Sequence, residues 1–126
     1  MRVAYTDSSV LVAIALGEAG SKELGVRLSD FARVYTSNLL EAELRAALAR
    51  EGVPFSRRQV AHLRWVWPTR SLGAEMAAIL RVGYLRGADL WHVATALYVA
   101  PGPRDLTFVS LDDRQRIIAA RLGFST

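Results

Sequence analysis

A chain of 126 residues, 52% of them hydrophobic and none a cysteine, has the length of one domain and enough apolar surface for a core. That excludes a disordered tail, a disulfide scaffold, a thiolate metal site and a cysteine nucleophile, and two histidines leave a zinc centre short of ligands. The net charge is +4 and 15 of the 16 basic residues are arginine, whose planar forks match phosphate; this suits a polyanionic partner, although a generally arginine-rich composition would give the same count.

In chain order, Arg2–Thr6 reads as a short strand, followed by helices over Ser8–Leu16 and Ser21–Phe31. Arg33–Thr36 is a second strand, and Leu39–Glu51 a helix with Ser37 or Asn38 as its N-cap. Phe55–Trp67 reads as a further helix opened by Ser56, with Val60, Leu63 and Trp67 at helical spacing. Leu72–Gly83 and Asp89–Val99 follow as helices. Leu106–Leu111 is a short buried strand, and Arg114–Leu122 a last helix closed by Gly123. Pro54, Pro68, Pro101 and Pro103 fall in the connections, and no internal repeat interrupts the pattern. Strands alternating with helices predict an α/β fold: a three-layer α/β/α sandwich with a short, mostly parallel central sheet, as one domain over residues 1–126. The longest stretch free of charge, Leu90–Pro103, has 14 residues against about 20 for a membrane span. Asp7 arrives before any long apolar run, so neither a span nor a secretory signal is expected, and a cytoplasmic location is.

Chemistry in such a sheet collects at the carboxyl ends of its strands. Asp7 follows the first strand and Asp112 the last, so two carboxylates 105 residues apart are expected on one rim. The helix after the second strand offers Glu41 and Glu43. Glu43 has Leu39, Leu40, Ala46 and Ala47 three and four residues away, which places it in an apolar stripe; Glu41 has Arg45 at i+4, the pattern of a solvated face. A carboxylate in that stripe needs a cation, a hydrogen-bond network or a metal, and Arg50, further along the row, is one cation that could serve. Asp89 opens a helix whose buried stripe is Leu90, Val93, Ala94 and Leu97, with His92 one turn on. Asp7, Asp89 and Asp112 each precede a helix and could be plain N-caps, and Asp112 with Gln115 has capping-box spacing. Capping does not explain why all four acids share a rim. Clustered carboxylates in a basic, arginine-rich protein fit a hard divalent cation, Mg²⁺ or Mn²⁺, and cleavage of a phosphodiester.

The segments that carry these acids resemble the PIN-domain family and, within it, the VapC-like toxins of toxin–antitoxin pairs. Y-T-D-S-S-V-L-V-A is similar to the first family motif, T-S-N-L-L-E-A-E-L-R-A-A-L to the second, L-R-G-A-D-L-W-H-V-A-T-A-L to the third and F-V-S-L-D-D-R-Q-R-I-I-A-A-R-L-G-F to the last. Across essentially the whole chain the acids are spaced 36, 46 and 23 residues apart. The resemblance implies a PIN-like fold and a Mg²⁺- or Mn²⁺-dependent endoribonuclease, with Asp7, Glu43, Asp89 and Asp112 as catalytic metal ligands. It implies supporting hydroxyls at Ser9 and Ser110, and products with a 3′-hydroxyl and a 5′-phosphate. Asp113 stands as an alternative ligand or an acid behind the ligands, Trp91 as a packing residue, and His92 as a supporting residue rather than a base. Arg86, Arg114 and Arg116 are placed to steer RNA, with a solvated face as the plainer role for each. The resemblance also implies a small antitoxin partner and a homodimer, for which Ser21–Phe31 and Phe55–Trp67 are candidate contacts, with core packing as the alternative for Val60, Leu63 and Trp67.

Rival classes fit less well. A receiver-type phosphoacceptor wants paired acids after its first strand and a lysine after its last, whereas Asp7 is followed by two serines and the sole lysine is Lys22. A haloacid-dehalogenase-like phosphatase wants D-x-D where this chain has D-S-S. A PIN nuclease of RNA processing or acting on DNA would use the same four acids, and a PIN-like binding module without activity would not need them intact.

Overall fold

A computed structural model describes residues 2–126. Four short strands form one sheet: β1 (Val3–Thr6), β2 (Arg33–Ser37), β3 (Leu63–Val66) and β4 (Leu106–Val109). Their order is β3-β2-β1-β4, and every pairing is parallel. The period-two alternation of a strand splits the core in two. Ala4, Val34 and Val109 face α1 (Ser8–Leu16), α2 (Ser21–Ser29) and α3 (Leu40–Arg50). Tyr5, Leu106 and Phe108 face α4 (Gly73–Val82), α5 (Gly87–Val99) and α6 (Asp113–Leu122). The predicted three-layer α/β/α sandwich is the observed fold, with a sheet that is wholly parallel.

The sheet grows from β1 outward to β2 and β3, then returns to add β4 on the other side of β1. That reversal moves the helices from one face to the other, as crossovers of one hand require. It also makes the gap between β1 and β4 a topological switch point, where α/β sheets open a crevice beyond the strand ends. Thr6 pairs with Val109, so Asp7 and Ser110, the next residues on each strand, emerge side by side.

The expected helix over Phe55–Trp67 is a correction. Ser56 does cap, in a closed box with Gln59, but it opens only a 3-10 turn at Arg57–Gln59, and the chain then extends into β3. Three forces favour the strand. Leu63-Arg64-Trp65-Val66 is rich in aromatic and branched side chains, Pro68 holds Trp67 out of the helical region, and β2 offers an edge from Val34 to Ser37 for it to pair with. Val60 and Leu63 are core residues, whereas Trp67 is 66% exposed. Other boundaries move by one to two residues, the ordinary fraying of ends. α2 stops at Ser29, the last strand ends at Val109, and α5 begins at Gly87, two residues before Asp89.

On the outer edge of β4, Ser125 forms a parallel bridge with Thr107: the Phe108 N–H donates to the Ser125 carbonyl at 2.8 Å, and the Ser125 N–H to that of Leu106 at 3.2 Å. No helix among the described residues is long and apolar enough to cross a membrane.

Candidate active site

Asp7 leaves β1 at the switch point and is 4% exposed. It occupies the N-cap position of α1 but its side chain does not cap. Instead Oδ1 accepts from the Ser9 hydroxyl at 2.6 Å and Oδ2 from the Ser110 hydroxyl at 2.8 Å. Ser9 in turn accepts from the Leu111 N–H and Ser110 from the Asp112 N–H, which ties the end of β1 to the loop after β4. Burial pushes the Asp7 carboxyl above the ordinary range, the two hydroxyls and His92 oppose the rise, and the nearby Asp89 charge adds to it.

Glu43 projects from the first turn of α3. The stripe that α3 buries is Leu40, Leu44 and Leu48, so Glu43 sits at the margin of the stripe rather than inside it, with a side chain 30% exposed. Its Oε1 lies 2.6 Å from His92 Nε2. Arg50 does not serve it and approaches Glu51 instead. Glu41 pairs with Arg45 at 2.9 Å on the outer face, as its spacing suggests.

Asp89 stands in the first turn of α5, whose N-cap position is held by Arg86, so it too is no cap. Its Oδ1 accepts from the Gln115 amide at 3.0 Å. Burial raises its pKa first, the charges of Asp112 and Glu43 raise it further, and His92 and Arg86 oppose them. Asp112 is a true N-cap: its Oδ1 accepts from the Gln115 N–H at 2.9 Å. The other half of a capping box is absent, because the Gln115 side chain turns to Asp89 and, at 3.1 Å, to the Ser110 hydroxyl.

Arg86 and Arg114 flank the last two acids, lining with Tyr84, Asp89 and Asp112 a cleft of about 230 Å³. Arg116 is placed differently: it pairs with Asp113, which is 79% exposed and takes no part in the hydrogen bonds around Asp7 and Asp89. Trp91 donates its indole N–H to Asn38 at 3.0 Å, joining the second motif to the third as it packs.

The four acids thus come from four elements to one rim. Each senses at least one of the others, but among the described residues no three of them converge into a closed ligand set. Their hydrogen-bond donors are the serines, His92 and Gln115, and Gln115 serves both Asp89 and Asp112. Among the described residues no lysine or arginine comes within ion-pair distance of any of the four. Hard oxygen donors that no lysine or arginine pairs directly fit a divalent cation that keeps several waters and takes few direct protein ligands.

A family model for the PIN domain matches residues 4–121, from β1 to the last turn of α6. The chain belongs to the PIN-domain family. No curated protein matches the chain significantly. PIN domains are generally metal-dependent nucleases, and the matched span contains all four acids. The residues that sequence reasoning missed are Gln115, Tyr5 and Asn38. Gln115 carried a signal in its capping-box spacing from Asp112, and Asn38 stood only as a candidate cap of α3 beside Ser37, whereas Leu39 holds that N-cap position; Tyr5 and Asn38 act on partners 87 and 53 residues away.

Proposed function

We propose that this PIN domain is a Mg²⁺- or Mn²⁺-dependent endoribonuclease, the toxin of a VapC-like toxin–antitoxin pair acting in the cytoplasm. The observation that carries the nuclease reading is the rim itself: four carboxylates that, among the described residues, no lysine or arginine pairs, beside a cleft flanked by Arg86 and Arg114. Asp7, Glu43, Asp89 and Asp112 would hold the cation, directly or through water. When bound, it supplies a water of lowered pKa and offsets charge on the phosphate. Ser9 and Ser110 orient Asp7, and Gln115 sets Asp89 against Asp112. Arg86 and Arg114 steer the phosphodiester toward the acids. The oxygen of water bonds to phosphorus as the P–O3′ bond breaks, leaving a 5′-phosphate and a 3′-hydroxyl. The toxin assignment, a small antitoxin covering the acids and a homodimer are supported by the resemblance of the four motifs.

The test is cleavage of single-stranded RNA and DNA of one sequence, with Mn²⁺ or chelator, by the wild-type protein and by Asp7→Asn. The expected result is metal-dependent RNA cleavage by the wild type and background activity in D7N with an unchanged circular dichroism spectrum. Equal metal-dependent activity in D7N would overturn the assignment of the acids, and cleavage of DNA alone would move the substrate to the rival PIN reading. Growth arrest on induced expression checks the toxin role, as does its relief by a short reading frame beside the gene; continued growth with active nuclease removes it.

A further inference from the structure

His92 is buried and belongs to α5, yet its two nitrogens face different elements. Nδ1 lies 2.7 Å from the Tyr5 hydroxyl on β1, and Nε2 lies 2.6 Å from Glu43 Oε1 on α3. The tyrosine is itself fixed. Its ring stacks on Phe108 with centroids 5.4 Å apart and meets the imidazole edge-on at 5.9 Å. A carboxylate at 2.6 Å only accepts, so Nε2 carries a proton, and Nδ1 meets the Tyr5 hydroxyl, which can donate to it or accept from it.

From this geometry we infer that His92 is a positioning residue: with Tyr5 it forms a strut from the core that fixes the Glu43 carboxylate at the rim and leaves only Oε2 free for a divalent cation. The inference rests on Glu43 being a cation ligand. Both imidazole nitrogens are committed, so His92 has none left to bind a cation or to take a proton from a substrate. The strut also gives Glu43 what its place at the margin of an apolar stripe lacks, a fixed direction. A ligand held by a second, hydrogen-bonded shell loses conformational freedom before the ion arrives, and removing such a partner generally weakens metal binding about 10–100-fold.

The experiment is calorimetric titration of the metal-free protein with MnCl₂, without RNA, for the wild type, His92→Leu, His92→Gln, Tyr5→Phe and Glu43→Gln, with melting curves for each. Glutamine can present an amide N–H near the position of Nε2, whereas leucine fills the space without a donor. The expected result is a loss of Mn²⁺ affinity of about 10–100-fold in H92L, affinity near wild type in H92Q, and a smaller loss in Y5F. A residue that only packs would lower the melting temperature in both His92 variants and leave affinity unmoved. Wild-type affinity in H92L alongside a loss in E43Q would overturn the strut and leave the Glu43 assignment standing. Wild-type affinity in E43Q would instead overturn that assignment. If H92L does not fold, unchanged affinity in Y5F overturns the strut. Nitrogen-15 NMR of His92 gives an independent check: the Nε2-protonated tautomer is expected, and the Nδ1-protonated one would contradict the geometry.

Discussion

At the scale of single residues, the rim trades stability for charge. Asp7 and Asp89 both have their pKa raised, chiefly by burial. The folded protein therefore holds these protons more tightly than the unfolded chain does. The associated stability is complete below the unfolded carboxylate pKa, near about 3.9, and is lost as pH rises through the raised folded values. D7N keeps a polar group of the same shape and removes the buried charge. In chelator at neutral pH it is expected to melt above the wild type, with the gap closing as pH falls toward about 4; differential scanning calorimetry across that range checks it. A D7N midpoint equal to the wild type at every pH would show that the buried charge costs nothing. Neighbour spacing separated Glu41 from Glu43, and the Glu41–Arg45 pair is where it placed it. The same spacing could not show that Glu43 lies at the stripe's margin or that His92 meets it, because helical periodicity describes one element and that contact joins two.

At the scale of elements, Phe55–Trp67 is instructive because its apolar residues satisfy two periods. Val60, Leu63 and Trp67 suit a helix, while Leu63, Trp65 and Trp67 suit a strand. A local count weighs neither the restriction imposed by Pro68 nor the open edge of β2, and these decided it. The two alternatives make different demands on Trp67: an amphipathic helix puts it on the buried stripe with Leu63, the strand leaves it in solvent. Leu63→Ala is expected to destabilise by about 2–4 kcal/mol and Trp67→Ser by less than about 0.5 kcal/mol in urea denaturation. A large loss in W67S would put the tryptophan back in the core. The last helix was legible because its stop signal was, with Gly123 closing it in the left-handed conformation.

At the scale of the whole molecule, a mildly basic surface surrounds an acidic rim, and the two act at different ranges. Arg86 and Arg114 are expected to bind phosphates while the acids act on the phosphodiester between them. In a D7N background, where cleavage is expected to be lost, the double substitution Arg86→Ala and Arg114→Ala should lower RNA affinity and reduce the slope of log K against log salt by about 1.4, two contacts at about 0.7 each for a single strand. Fluorescence anisotropy over a salt series measures it, and an unchanged slope would show that these arginines do not touch the backbone. The sheet carries a different asymmetry. With Ser125 already hydrogen-bonded to β4, the middle of that border has no main-chain groups to give to an arriving strand. The border beyond β3 has such groups, guarded by the outward Arg64 and by Pro68 just past its end. The open border for an extended segment to join is thus the one beyond β3, two strands removed from the acid at the end of β1.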